Sequence, residues 1–333
     1  MSTTDSAPHT PDFPSDRVNR VSSAVQVGGG PGRSRSIAPW RVFREMPIMI
    51  KISALWLLFI ISGAIYAKLD VTVFNGSLPL QDPNLQTNGF NAATGEFGTG
   101  EPLEPISGSH WLGTDAIARD TFSRILHGAW VSLVVATVAA AFGVIVGGFL
   151  GSLVGFVRGR TETLTMSMID VILAFPALVL LLALVSIFEV RDLFVISIVI
   201  GFLSIPSYTR VARANSLAIS NREFVMAARA IGTKPRTILF REIIPNVLPT
   251  LMSYAMVAAA FVVVVEGSLS FLGLSVQLPT STWGNMINQA RRDIKVDINQ
   301  VLWPSLALSI TVLALNQVGD FLQKRRAVKG SSL

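Results

Sequence analysis

The stretch that decides the fold is "GAWVSLVVATVAAAFGVIVGGFLGSLVGFV", residues 128–157, an apolar run without a single charged side chain. A helix needs about 20 residues to cross a hydrocarbon core of about 30 Å, so this run can span a membrane. Further apolar runs lie at about 47–67, 164–188, 193–209, 246–272 and 301–322. The sequence therefore predicts an all-α polytopic membrane protein with six transmembrane helices.

Composition agrees with this prediction. Half of the residues are hydrophobic and 14% are charged, whereas soluble domains carry about 25% charge. The formal net charge is +6, but the basic residues gather in short loops beside apolar runs, which is typical of membrane topology and not of a nucleic-acid-binding face. The chain has no cysteine, which excludes disulfides, thiolate metal sites and a cysteine nucleophile.

Two of the apolar runs carry residues that affect helix packing. Within 128–157, glycines at every fourth position line one stripe of the helix: Gly143, Gly147, Gly151, Gly155 and Gly159. Such a stripe predicts close packing against another helix, and a flexible hinge beside a substrate pathway is the alternative. The run 193–209 is short, and Pro206 within it predicts a kink or an early exit from the membrane.

Six spans place both termini on one side of the membrane. Lysine and arginine concentrate before the first span and in the loops at 158–160, 210–241 and 324–326. All of these segments belong to one side, which the positive-inside rule makes the cytoplasm. The exception is "RRDIK", residues 291–295, on the opposite side.

These assignments divide the chain into five parts. No secretory signal is expected, because a polar tail precedes the first apolar run. The predicted parts are a disordered cytoplasmic tail (1–45), a first transmembrane helix (46–68), an extracytoplasmic loop (69–125), a core domain of five transmembrane helices (126–323) with a charged cytoplasmic loop at about 210–245, and a cytoplasmic C-terminal tail (324–333).

The charged loop contains the block "NREFVMAARAIGTKPRTILFREIIPNVLP", residues 221–249. Ser220 and Glu223 have the spacing of a capping box, which predicts that a helix starts near Asn221. Gly232 predicts a left-handed C-cap, and the following Lys234-Pro235 prevents continuation. The resulting helix of about 10 residues is about 15 Å long, too short to span a membrane.

This short helix is predicted to be amphipathic. Its apolar face comprises Phe224, Ala227, Ala228 and Ile231. Its other face comprises Arg222, Glu223, Met226 and Arg229. We expect the apolar face to rest on the ends of the spans and the charged face to be free for a partner, since an isolated helix of this length is marginal in water. A helix that lies on anionic lipid headgroups is the alternative.

Ionisable residues inside apolar runs are candidate functional residues, because a charge near the bilayer centre costs about 2.5–3.5 kcal/mol. Asp170 and Glu266 are the two candidates. Each is predicted either to face a solvated pathway or to make a structural hydrogen bond to a neighbouring helix or loop. No P-loop, nucleophile elbow or cluster of histidines is present, so any energy source must belong to another subunit.

The charged block resembles the EAA loop of ATP-binding-cassette (ABC) importer permeases. Ala227, Ala228, Gly232 and Pro245 match that motif in register. Met226 replaces its glutamate, Glu242 its isoleucine and Ile244 its leucine. Four further blocks, at 110–133, 169–180, 266–287 and 303–322, resemble the second permease subunit of dipeptide, oligopeptide and nickel importers.

The resemblance implies a type I ABC importer permease fold in the bacterial cell membrane. The chain would be a non-catalytic subunit without a cofactor of its own, and ATP and Mg²⁺ would bind to partner ATPase subunits. The implied partners are a homologous second permease, two cytoplasmic ATPase subunits or one fused ATPase, an extracytoplasmic binding protein and the lipid bilayer, with no nucleic acid.

The resemblance also implies roles for individual residues. A coupling helix that binds an ATPase would comprise Arg222, Glu223, Met226, Ala227, Ala228, Arg229 and Gly232. The acidic residues Asp115 and Asp120 are expected to help dock the binding protein. Peptides are the favoured substrate; nickel or another small solute is the alternative, and a stand-alone secondary transporter or a membrane-embedded hydrolase is the rival class.

Overall fold

The structure is a computed structural model that describes residues 46–74, 80, 82–86, 90–91, 96–97, 100–188 and 192–330. The expected disordered tail at 1–45 and parts of the segment from 70 to 105 lie outside the described residues. Residues Pro47–Leu333 form one compact unit.

The described part is almost entirely helical. Its elements in chain order are α1 (Ile48–Thr72), β1 (Phe90–Asn91), β2 (Glu96–Phe97), α2 (Thr121–Phe142), the π-helical turn π1 (Gly143–Gly147), α3 (Gly148–Val157), α4 (Arg160–Ala174), α5 (Ala177–Phe188), α6 (Leu193–Ser220), α7 (Glu223–Ala230), α8 (Pro235–Ile238), the π-helical turn π2 (Leu239–Ile243), α9 (Ile244–Phe271), α10 (Trp283–Ala290) and α11 (Asn299–Gly330). Strands β1 and β2 pair antiparallel.

Among the described residues, five helices are long and apolar enough to cross a membrane. They are Ile48–Thr72, Thr121–Val157, Leu193–Ser220, Pro235–Phe271 and Asn299–Arg325. The run predicted as a span at 164–188 is two helices, α4 and α5, bent by 89°, and the count is six when this bent pair is taken as one span. Phe175 at the break is extended, as expected for a residue before proline, because Pro176 disfavours the helical conformation of its neighbour.

Helix α6 differs from the expected early exit at Pro206. It continues through the proline to Ser220. Packing on both sides of the proline explains the continuation: an added Cβ on Gly201 would lie 3.1 Å from Phe142, and Tyr208 lies directly against Gly143 and Gly147. Tertiary contacts therefore override the local cost of proline in a helix.

The glycine stripe packs against α6, as predicted. A Cβ added at Gly147 would lie 2.7 Å from the backbone oxygen of Ile205, and one at Gly155 would lie 2.7 Å from that of Arg213. Gly151 meets the Thr209 oxygen in the same way. Gly159 does not belong to this contact, because a Cβ there would meet open space. Close backbone approach between α3 and α6 thus requires glycine at three successive stripe positions.

The helical hydrogen bonding changes locally at π1 and π2. In π2 the N–H of Ile244 donates to the oxygen of Leu239, one residue beyond the α-helical partner. Pro245 follows directly and has no N–H to donate. The wider turn lets the chain continue into α9 although Pro245 cannot make the α-helical hydrogen bond. The helix Pro235–Phe271 thereby stays continuous.

The start of α1 and the later turns of α11 lie at the same end of the bundle as α7. The Ser53 hydroxyl of α1 donates to Gln317 of α11 at 3.0 Å, and the Trp56 indole donates to Thr311 at 3.0 Å, so α1 and α11 run antiparallel. Gln323 of α11 contacts the backbone of Ser253 near the start of α9. We call this the α7 end, and we call the opposite end, where α2 begins, the distal end.

Candidate functional site

Helix α7 does not begin with the predicted capping box. It starts at Glu223, and the preceding Arg222 makes no side-chain cap. Ser220 is instead the last residue of α6, where its hydroxyl donates to the oxygen of Ser216 at 2.7 Å. The capping-box prediction is therefore wrong, because this serine bonds to the backbone one turn behind it instead of the turn ahead.

The C-terminal end of α7 is as predicted. Gly232 has φ +78°, the left-handed conformation that glycine adopts without strain. Its N–H donates to the oxygen of Arg229 at 3.0 Å, and the N–H of Thr233 donates to that of Ala228 at 3.1 Å. These two bonds form a Schellman motif, which satisfies the last carbonyls of the helix and fixes its end.

The buried face of α7 differs from the predicted one. Val225 is fully buried in a cluster with Ala212 and Ile238. Phe224 is 41% exposed and Ile231 is 83% exposed, so the two large side chains of the stripe expected to rest on the spans point away from them. Ala228 of the same stripe does pack against this cluster. The helix is too short for its overall periodicity to dictate its orientation, and the single valine anchors it.

Polar and aromatic contacts tie α7 to the end of α3. The Arg229 guanidinium lies 5.3 Å from the centre of the Phe156 ring. The Arg158 guanidinium donates to the side-chain oxygen of Asn221 at 3.1 Å. Arg222, Glu223, Met226 and Ala227 are exposed. Val225 packs with Ala212 of α6 and Ile238 of α8, so a displacement of α7 reaches α6 and α8 directly and reaches α3 through Arg229 and Phe156.

A cavity of about 640 Å³ lies beside α6, α9 and the break between α4 and α5. Most of its lining is apolar, and its polar groups are Ser204, Ser207, Ser268 and two tyrosines. Tyr208 and Tyr254 meet edge to face with ring centres 5.1 Å apart. The Tyr208 hydroxyl has no hydrogen-bond partner among the described residues. The cavity can hold a small organic solute, and none of the described residues that line it is charged.

Asp170 forms an ion pair on the outside of the chain. Its carboxylate accepts from Arg210 at 2.6 Å, and the two side chains are 63% and 53% exposed. Arg210 lies one turn from the cavity residue Ser207, towards the α7 end. A second pair joins the same helices, because Glu162 of α4 accepts from the Arg213 Nε of α6 at 2.6 Å. These ion pairs hold α4 to α6.

Glu266 is fully buried. It accepts from the Ser132 hydroxyl at 2.8 Å and from the Ser275 hydroxyl at 3.3 Å. These contacts join α2, α9 and the loop that follows α9. The geometry corresponds to the structural alternative expected for this residue, and Glu266 does not line the cavity.

Asp115 and Asp120 lie together at the distal end, and both are engaged within the chain. Asp115 accepts from Arg119 Nε at 2.7 Å. Asp120 caps α2 by accepting from the Ser123 N–H at 2.7 Å and contacts the His110 ring at 3.0 Å. Neither carboxylate is a free surface charge, so docking of another protein through them would require these contacts to break.

Sequence reasoning did not identify several residues of these sites. Phe224 and Ile231 were predicted to lie on the buried face of α7. Their exposure follows from the anchoring of α7 by Val225, which the sequence pattern does not indicate. Arg210 was interpreted as a topological charge, although its position opposite Asp170 is a long-range contact. The tyrosine pair of the cavity had no local sequence signal.

Comparison with known proteins gives one consistent family. Residues 143–326 match the family described as "Binding-protein-dependent transport system inner membrane component". The glutathione transport system permease protein GsiD of Pectobacterium atrosepticum is 36% identical over 220 residues, 66% of this chain and 73% of that protein. GsiD of Escherichia coli O1:K1 / APEC is 34% identical over 284 residues, 85% and 87% respectively. The chain therefore belongs to the inner-membrane components of binding-protein-dependent transport systems, the permeases of ABC importers.

Proposed function

We propose that this permease imports peptides, and that α7 is the coupling helix through which a partner ATPase drives it. The observation that carries the proposal is the construction of α7: eight residues, one buried anchor, two exposed large apolar side chains and a fixed C-terminal end. A short helix with exposed Phe224 and Ile231 fits a groove on a partner, because such side chains are the typical anchors of helix-in-groove binding.

The coupling site comprises Arg222, Glu223, Met226, Ala227, Ala228, Arg229 and Gly232. Exposed Phe224 and Ile231 supply apolar contact, and Arg222 and Glu223 supply polar contact at the rim. Met226 stands where the family motif has glutamate, so Glu223 in the preceding turn is the acidic side chain available to the ATPase. The sequence carries no P-loop motif, so ATP hydrolysis with Mg²⁺ is assigned to the ATPase.

The coupling step is a rigid displacement of α7. When the ATPase subunits close on ATP, the grooves that hold the coupling helices approach each other, and each helix moves with its groove. Arg229 on Phe156 passes the displacement to α3. Val225 passes it directly to α6 through Ala212, and the glycine contact keeps α3 and α6 together. Helix α6 lines the cavity of about 640 Å³. The cavity is thereby opened to one side of the membrane or the other.

The translocation pathway is assigned to this cavity and a homologous second permease. Helix α4 exposes Leu164, Met168 and Val171, so its apolar surface is available to a second helical subunit. Asp170 lies on the same helix, exposed and paired with Arg210. It does not line the cavity, and its pairing with Arg210 corresponds to the structural alternative, a contact between two helices.

The assignment of sides follows from the coupling site. The α7 end is cytoplasmic, because it meets the ATPase and because it carries the basic loops favoured by the positive-inside rule. Both ends of the compact unit then lie in the cytoplasm, and the distal end faces the extracytoplasmic binding protein. The protein resides in the bacterial cell membrane.

Peptides are the proposed substrate class. The related proteins are named for the transport of glutathione, a peptide. In the described part of the chain, no group of three or more histidines and acids could hold a metal ion, and the cavity is lined mainly by apolar and hydroxyl side chains. Uncharged walls suit short peptides of varied sequence better than a hydrated Ni²⁺ ion.

The test is transport by the complete complex in proteoliposomes. We expect uptake of radiolabelled di- and tripeptides, including glutathione, that requires both ATP and the binding protein. Uptake of Ni²⁺, the alternative substrate, is measured in parallel. Uptake of Ni²⁺ without peptide uptake would contradict the peptide assignment, and ATP-independent uptake by the purified chain alone would show a secondary transporter.

A further inference from the structure

A second cavity lies at the distal end, about 380 Å³ in volume. Its lining includes Arg119, Arg124, Arg292, Asp115, Asp293 and Gln289. None of its lining residues lines the larger cavity beside α6. The helix Thr121–Val157 has 37 residues, about 55 Å at 1.5 Å per residue, and it separates this cavity from α7.

Asp115 is already saturated by the chain. It accepts from the Arg119 Nε at 2.7 Å and from the Arg119 Nη2 at 2.6 Å. Its other oxygen accepts from the backbone N–H groups of Ile117 and Arg119, each at 3.0 Å. One arginine and one aspartate of the lining thus neutralise each other.

Arg124 is buried without an equivalent partner. Its side chain is 1% exposed, and its Nε lies 3.6 Å from Asp115, beyond hydrogen-bonding distance. Its Nη1 donates to the Pro83 oxygen at 3.0 Å. Its Nη2 finds no acceptor among the residues that the structure describes, and the same holds for the Nε2 of Gln289. Two buried donors therefore line one cavity without acceptors.

Such an arrangement is costly unless a ligand completes it. A buried donor without a partner loses its hydration without compensation, and the loss is larger when the donor is charged. The lining has three arginines against two aspartates, so it carries an excess positive charge. A carboxylate supplies both a hydrogen-bond acceptor and a negative charge. It is acceptor-only, and its two oxygens match the paired N–H groups of a guanidinium.

We propose that this distal pocket binds the carboxylate of an aspartate or glutamate side chain presented by the extracytoplasmic binding protein. The proposal rests on the proposed function, which places the distal end outside the cell. The pocket has room for one side chain and a few waters, since a water occupies about 30 Å³. Its separation from the larger cavity favours a docking contact over a step on the substrate's path.

The experiment uses the complete complex in nanodiscs and the binding protein that stimulates its ATP hydrolysis. The dissociation constant of that protein is measured for wild type and two pocket variants. Arg124→Lys keeps the charge and removes the fork, and Arg292→Glu reverses an exposed charge at the rim. We expect each to weaken binding about tenfold. The matched control Lys295→Glu, an exposed cation that does not line the pocket, should change binding less than about twofold.

Three outcomes would overturn the inference. One is wild-type affinity in both pocket variants while the complex remains intact; if Arg124→Lys does not assemble, Arg292→Glu decides. Another is an equal loss in the Lys295→Glu control. The third outcome concerns the peptide that the binding protein carries. If the pocket variants weaken binding when that peptide has a free C-terminal carboxylate but not when it has a C-terminal amide, the pocket would belong to the substrate's carboxylate. Absence of any stimulating binding protein for the wild type would instead refute the proposed function.

Discussion

Glycine serves two unrelated purposes in this protein, one at the contact of α3 with α6 and one at the end of α7. Gly151 sits in an ordinary helix, but a Cβ there would overlap the backbone of Thr209. Gly232 has open space around it, and its φ of +78° is what excludes other residues. The first glycine permits two backbones to touch, whereas the second shapes one short helix. The protein therefore combines a rigid internal contact between α3 and α6 with an exposed short helix, α7, whose C-terminal end is fixed by Gly232.

The largest effect is expected from filling the rigid contact. Gly151→Ala places a Cβ against the Thr209 oxygen, and neither backbone can move alone, so we expect a loss of about 1–3 kcal/mol in the free energy of unfolding. Thermal unfolding of the complex in nanodiscs measures this loss. Gly148→Ala is the matched control, because its Cβ meets only the Leu251 side-chain end at 2.6 Å. Equal stability of the two variants would show that the α3–α6 contact is not tight.

Changing the exposed glycine should affect coupling more than stability. Gly232→Val forces a β-branched residue into the left-handed region, which costs about 1–2 kcal/mol or more and displaces the end of α7. We expect assembly and ATP hydrolysis to persist while peptide uptake per ATP falls about tenfold. Gly232→Asn should stay close to wild type, since asparagine tolerates this conformation. Normal coupling in the valine variant would refute the role of the Schellman motif.

The smallest effect is expected at the ion pair between α4 and α6, which belongs to neither glycine region. Asp170 and Arg210 are both more than half exposed, so Asp170→Asn should cost less than about 1 kcal/mol of stability. If the pair acts structurally, the double variant Asp170→Arg/Arg210→Asp, which exchanges the two charges, should show uptake at the wild-type level. Uptake that stays low after the exchange would instead place the Asp170 carboxylate in the pathway itself.

The sequence predicts the features that depend on local chemistry. Long apolar runs predicted the five continuous spans of the described residues, the four-residue glycine spacing predicted the α3–α6 contact, and Gly232 before Thr233-Lys234-Pro235 predicted the end of α7. Each depends on the length of a run, the absence of a Cβ or the conformation of one residue. None of these properties requires knowledge of what the segment packs against.

Features that depend on distant partners were not predictable. Pro176 breaks its run and Pro206 does not, because α6 is packed on both sides while α4 and α5 are largely exposed. The orientation of α7 follows from Val225, which fits a pocket formed by α6 and α8. Asp115 looks like a free acid in the sequence, and only the folded chain brings Arg119 and Arg124 to it.

The most direct test of the coupling role of α7 is photo-crosslinking from single cysteines. The chain has no cysteine, so Ile231→Cys and Ile298→Cys each carry one label in this subunit. Both isoleucines are well exposed, at 83% and 60%, but one lies at α7 and the other at the distal end. With benzophenone maleimide on the assembled complex, we expect the ATPase to be captured from position 231 and not from 298. No ATPase adduct at 231, or equal adducts at both positions, would contradict the assignment of α7 as the coupling helix.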